Sequence, residues 1–215
     1  EQARRRRTVP EPGILVMYVA GGAVAGVLAK LADGPVTWLG DLATYLAVWV
    51  LGVTLIGAFA PSAPRAAARA SAAFVSVCVG YYGFAVVVLG YPVGRESVVW
   101  VLLSLTLVPA IASLVRIART ADRWWSSIVI ATVAAMCVAD DAIARVVIAL
   151  TEDVPEAFMY SVRPIQAIIN VVSAVVVVLV APRSWRVRWW ALLAAVPLAF
   201  VGAMVMSEAR STLGV

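Results

Sequence analysis

The chain has 215 residues, of which 63% are hydrophobic, and a mean hydropathy of +0.97, values that belong to integral membrane proteins and exclude a soluble domain. It carries 17 Lys and Arg against 12 Asp and Glu, for a net charge of +5. The arginines fall in short clusters between apolar runs, which is a pattern of membrane topology and excludes a nucleic-acid partner.

There is no histidine, and Cys78 and Cys137 both lie inside apolar runs, where small buried thiols are expected. Histidine bases, Cys–His nucleophiles and His/Cys zinc sites are closed off by this composition. The expectation is a protein that is not an enzyme, with no cofactor, no metal site and no catalytic residues.

A bilayer core of about 30 Å needs roughly 20 apolar residues per helix. Seven segments approach that length, at 14–31, 42–60, 70–90, 98–115, 124–150, 165–181 and 189–206. They predict an all-α, polytopic bundle of seven transmembrane helices, organised as a basic N-terminal segment (1–13) and a single membrane domain (14–215). The basic start followed by an apolar run also fits a secretory signal. The run is long, glycine-rich and ends in Lys30-Leu31-Ala32-Asp33, so a retained first helix is expected.

In the first span Gly22, Gly26 and Lys30 are spaced by four, so the lysine shares a face with a Gly-x-x-x-Gly pair that admits a second backbone. Lys30 is the one lysine in the chain, and Asp33 lies one turn beyond it as a local partner. Asp41 precedes the second span, which carries Trp49 at mid-depth. The third span places Tyr81 and Tyr82 between Gly80 and Gly83, suited either to a ligand wall or to interfacial anchoring. Pro109 in the fourth span and Pro197 in the seventh predict kinks.

The fifth span contains Asp140, Asp141 and Arg145. Counted from Trp124, these carboxylates lie about 24 Å along a continuous helix, past the midplane. Asp141 and Arg145 are four apart and can pair, which leaves Asp140 to another helix, a water-filled cavity or a ligand. In the sixth span Arg163, Gln166, Asn170 and Ser173 follow steps of three, four and three and so share one face.

Orientation follows from the arginines. Arg4, Arg5, Arg6, Arg7, Arg65, Arg69, Arg116, Arg119, Arg123, Arg183, Arg186 and Arg188 recur at every second connection. The positive-inside rule then puts the N-terminus in the cytoplasm and the C-terminus outside. Ionised groups at membrane depth cost several kcal/mol, so each is a functional hypothesis by default. Lys30, Asp33, Asp41, Tyr81, Tyr82, Asp140, Asp141, Arg145, Gln166 and Asn170 all fall toward the outer side and form the candidate ligand-binding set. The inner half of every span reads as nearly featureless. A structural polar knot between helices is the competing explanation for the same residues.

The string Asp140-Asp141-Ala142-Ile143-Ala144-Arg145 resembles the Asp-Gly-x-x-Ala-Arg core of CDP-alcohol phosphotransferases, but it lacks the glycine, the spacing and the downstream aspartates. Retinal proteins need a lysine in the last span, and none is present. The small size and the Gly/Ala-rich first helix look somewhat like the substrate-binding components of energy-coupling-factor vitamin transporters, which have six helices.

A closer resemblance is to an uncharacterised family of small bacterial polytopic membrane proteins. It is carried by Gly26-x-x-x-Lys30-x-x-Asp33, Trp49, Ser62-x-Pro64 with the alanine-rich helix after it, and Tyr81-Tyr82. It covers about the first 90 residues and implies no activity.

The expected function is binding or transport of a small molecule or ion at a polar site in the outer half of the bundle, in the cytoplasmic membrane of a bacterium. The alternative is a non-catalytic scaffold or accessory subunit. Expected partners are membrane lipids, a small-molecule or ion ligand, and a membrane protein docked on small-residue helix faces.

Overall fold

The computed structural model describes residues 10–33, 45–92, 94–121, 123–139, 147–148 and 164–213. All regular structure among them is helical, and the molecule is a membrane helical bundle. In chain order the helices are α1 (Glu11–Ala32), α2 (Leu46–Phe59), α3 (Ala63–Val87), α4 (Arg95–Leu105), α5 (Leu107–Ala121), α6 (Trp124–Met136), α7 (Pro164–Val180) and α8 (Trp185–Leu213).

Four segments are long and apolar enough to cross a bilayer: Glu11–Ala32, Ala63–Val87, Arg95–Ala121 and Trp185–Met204. The apolar helices at Leu46–Phe59, Trp124–Met136 and Ile165–Val180 are shorter. Each of the seven expected spans thus has a helical counterpart.

Helix starts follow local chemistry. Pro12 and Pro64 sit in the first turns of α1 and α3, where the missing N–H costs nothing and the fixed φ favours the helix. Ser97 at the head of α4 donates its hydroxyl to the Gly94 carbonyl at 2.7 Å.

The fourth span breaks between α4 and α5 at Thr106 (φ −122°, ψ −73°). Pro109 has no N–H to give the carbonyl of Leu105, which is where α4 ends. Pro197, by contrast, sits inside a continuous α8.

At the end of α3, Gly90 adopts φ +71° and the N–H of Tyr91 returns to the Ala85 carbonyl at 3.0 Å. This left-handed glycine cap turns the chain back over the helix end.

Two helix pairs dominate the packing, α1 with α3, which run parallel, and α6 with α8. Along the first seam a methyl group on Gly22 would strike the Ala73 carbonyl, one on Gly26 the Val77 carbonyl, and one on Gly80 the Ala23 carbonyl. The predicted Gly-x-x-x-Gly face is therefore the seam itself, and backbone meets backbone along it. The core is built of small residues: Ala66, Ala70 and Ala112 in one cluster, and Val115, Ile130, Ala131, Val177 and Ala191 in another. Large apolar side chains such as Val16, Met17, Phe59 and Leu193 point outward, as lipid requires.

The predicted fifth span differs most from the structure. The sequence reads as one helix over 124–150, whereas α6 ends at Met136. There the Cys137 N–H bonds back to the Ala134 carbonyl at 3.1 Å and residues 137–139 form a turn. Asp140 and Asp141, which the sequence places about 24 Å along that helix, lie outside the described residues.

Candidate functional site

The parallel seam brings the end of α1 against the end of α3. Lys30 Nζ lies 2.7 Å from Asp33 Oδ2, and the Tyr81 hydroxyl donates to the same oxygen at 2.7 Å. The ammonium sits 5.0 Å from the Tyr81 ring centroid and 5.3 Å from that of Tyr91, so two aromatic faces as well as one carboxylate hold the lysine charge. Partial burial pushes the Asp33 carboxyl up, but hydrogen bonds from Lys30 and Tyr81 outweigh it and hold the pKa below the usual carboxylate value. The cluster is thus an ionised, largely self-satisfied pair.

Beside it opens a cavity of about 310 Å³ between α2, α3, α4 and α5. Helical spacing explains who lines it. Leu46, Trp49, Val50 and Val53 form one face of α2; Phe74, Val77, Cys78, Tyr81 and Tyr82 one face of α3; and Glu96, Trp100, Leu103 and Ser104 one face of α4. Leu107, Val108 and Ile111 of α5, with Met136 of α6, complete the walls.

Five aromatic rings are present. Trp49 meets Phe74 edge-on at 5.9 Å and Tyr81 meets Tyr82 edge-on at 5.1 Å. Deep polar groups are few: Ser104 donates to the Trp100 carbonyl at 2.7 Å and lies 3.5 Å from Cys78 Sγ. The polar end is Glu96 with the two tyrosines, and Tyr81 links the cavity wall to the Lys30–Asp33 pair.

The family model described as a family of unknown function (DUF6518) matches residues 4–212. The chain belongs to that family. No curated protein and no solved structure matches it. The match to DUF6518 runs far past the first 90 residues that carry the sequence resemblance. No match supports the resemblance to energy-coupling-factor components.

In this DUF6518 chain the predicted site residues divide three ways. Lys30, Asp33, Tyr81 and Tyr82 come together, the tyrosines on the cavity wall and the ion pair behind Tyr81. Gln166 and Asn170 sit on α7, both buried, with Gln166 Nε2 donating to Asn170 Oδ1 at 2.8 Å, but neither lines the cavity. Asp41, Asp140, Asp141 and Arg145 lie outside the described residues.

Sequence reasoning missed Glu96, Trp100, Phe74 and Ser104. The i, i+4, i+8 spacing of Glu96, Trp100 and Ser104 was the available signal.

The arginine-rich end is not featureless. Arg69 in α3, nearly buried, grips Glu11 of α1 through two hydrogen bonds, Nε to Oε1 and Nη2 to Oε2, both 2.9 Å. Arg65 adds a longer contact at 3.6 Å, and the Arg69 guanidinium lies 5.9 Å from the Tyr18 ring.

Arg119 donates to the Val180 and Ala181 carbonyls at the end of α7, and Arg116 to the Pro61 carbonyl at 2.8 Å. Arg119 thereby satisfies carbonyls at the end of α7 that have no partner within that helix, and Arg116 a carbonyl of the α2–α3 connection. Both arginines were read from the sequence as topology marks alone. Their second role needs the facing carbonyls, which only the fold supplies.

Proposed function

We propose that this DUF6518 protein binds or transports a small molecule in the cavity between α2, α3, α4 and α5, as a non-catalytic protein of a bacterial cytoplasmic membrane. With the arginines on the cytoplasmic side, the cavity mouth at Glu96, Tyr81 and Tyr82 faces outward. One observation carries the reading. A cavity of about 310 Å³ with aromatic walls and a few convergent polar groups at one end has the make-up of a small-molecule site. Lys30 and Asp33 serve it by fixing the Tyr81 ring through the hydroxyl. The accessory-subunit alternative draws less support, because the Gly22/Gly26 face it would offer to a partner is spent on α3.

The test is native mass spectrometry of the protein extracted in mild detergent. The wild type is expected to carry a discrete small-molecule adduct that Val108→Trp, which fills the cavity from α5, does not. Both proteins should melt alike once the adduct is stripped. Identical adduct patterns on the two proteins would count against the cavity as the site.

A further inference from the structure

We infer that this cavity takes a lipophilic organic cation, its charge held at Glu96 and its apolar body lodged among Trp49, Phe74 and Trp100; this rests on the binding-site reading above. Among the described residues lining the cavity, Glu96 is the one carboxylate, and no Lys or Arg contributes to the walls. Glu96 forms no ion pair among the described residues. Arg95 is its chain neighbour, but a step of one residue turns it about 100° away around α4, and it does not reach the lining. The nearby Lys30 is neutralised by Asp33 at 2.7 Å. The wall therefore carries a net negative charge at its polar end.

The rings point the same way. Aromatic faces attract cations and repel anions, and the effect grows as water is excluded. The molecule already uses this chemistry at the same end, where the Lys30 ammonium rests 5.0 Å from the Tyr81 ring that itself lines the cavity.

Size and polarity restrict the ligand further. From Phe74 to Tyr82 the lining runs about 12 Å along α3. That is too long for a bare metal ion, and among the described lining residues the depths offer few polar groups: Ser104, Cys78 and the indole N–H groups of Trp49 and Trp100. A sugar or a zwitterion would lose its hydration there for too few replacement hydrogen bonds. An anion would meet Glu96 at the mouth. A body of carbon with one diffuse positive charge satisfies both ends.

The experiment uses two ions of the same shape and opposite charge, tetraphenylphosphonium and tetraphenylborate. Binding is measured by calorimetry on the full-length protein in nanodiscs of zwitterionic lipid, with protein-free nanodiscs subtracted. The phosphonium is expected to bind at least ten-fold tighter than the borate. Glu96→Gln should weaken the phosphonium at least five-fold and erase the preference, whereas Glu96→Asp should keep it. Val108→Trp should weaken the phosphonium in either background.

Equal binding of the two ions, both lost in Val108→Trp, would overturn the cation assignment and leave the binding site standing. Binding that Val108→Trp does not change would overturn the site as well. Absence of binding by either ion overturns the cation assignment, and the adduct comparison then judges the site separately.

Discussion

Replacing Gly26 with alanine adds one methyl group to the face of α1 that meets α3. The new carbon would collide with the Val77 carbonyl oxygen and lie 2.8 Å from the Tyr81 nitrogen and 3.0 Å from the Val77 carbonyl carbon. Every obstacle is backbone, so no side chain can rotate away. Ordinary contact begins at 3.4 Å, and reaching it requires the helices to part by more than 1 Å.

Forcing one methyl group into a close-packed seam costs about 1–3 kcal/mol, and an unyielding backbone places this site at the upper end. Alanine recovers about 1 kcal/mol in helix propensity over glycine. The net expectation is a loss of about 2 kcal/mol.

Gly21→Ala is the matched control. It makes the same chemical change one residue away, where nothing lies within 4 Å, and should be neutral or stabilising by up to about 1 kcal/mol. Equilibrium unfolding of both variants in mixed micelles, followed by far-UV circular dichroism, measures the difference. If Gly26→Ala unfolds within about 0.5 kcal/mol of Gly21→Ala, a backbone-to-backbone seam is the wrong description.

Other expectations follow from the two ends of that seam. Arg69→Ala leaves Glu11 without its bidentate partner and removes the guanidinium that ties α3 to α1, and it should lower the stability of the bundle. Arg69→Lys should recover only part of this, because an ammonium cannot make the two parallel hydrogen bonds; unfolding in the same micelles reads both. The depressed carboxyl of Asp33 stabilises the fold fully above the unfolded value of about 4, and that contribution is lost as pH falls through the lower folded value. Asp33→Asn should therefore be less stable than wild type at pH 7 and closer to it at pH 3. A stability gap that does not narrow on acidification would contradict the geometry at Asp33. Tyr81→Phe removes the hydroxyl shared with Asp33, and intrinsic fluorescence melts should show a loss of about 1 kcal/mol at neutral pH.

Much of this molecule was legible from residue spacing. Lys30 and Asp33 are three apart, Gly22 and Gly26 four apart, and both relations appear in the structure as an ion pair and a helix seam. Local helical geometry alone dictates such pairings. Glu96 was not legible in the same way, because it reads as an ordinary charge before a span. It becomes part of a site only when Trp49 and Tyr82, from two other helices, close around the same space. Trp49 shows the intermediate case: its mid-span position marked it as unusual, but its partner Phe74 is 25 residues away and nothing local connects them.

Composition and period by themselves determined that the chain enters a membrane, that it does so as helices, and that its arginines mark one end. These follow from the cost of bare backbone in lipid and from the 3.6-residue turn, which act on every segment independently. Tertiary structure decided which helix lies beside which. The glycines of α1 could have met any small-residue face, and they met Ala73 and Val77 of α3. That choice set Tyr81 against Asp33 at one end and Arg69 against Glu11 at the other, and it turned the adjacent face of α3 toward α2 and α4 to form the cavity. Close packing between distant segments is a property of the assembled surfaces, and no single stretch of the chain contains it.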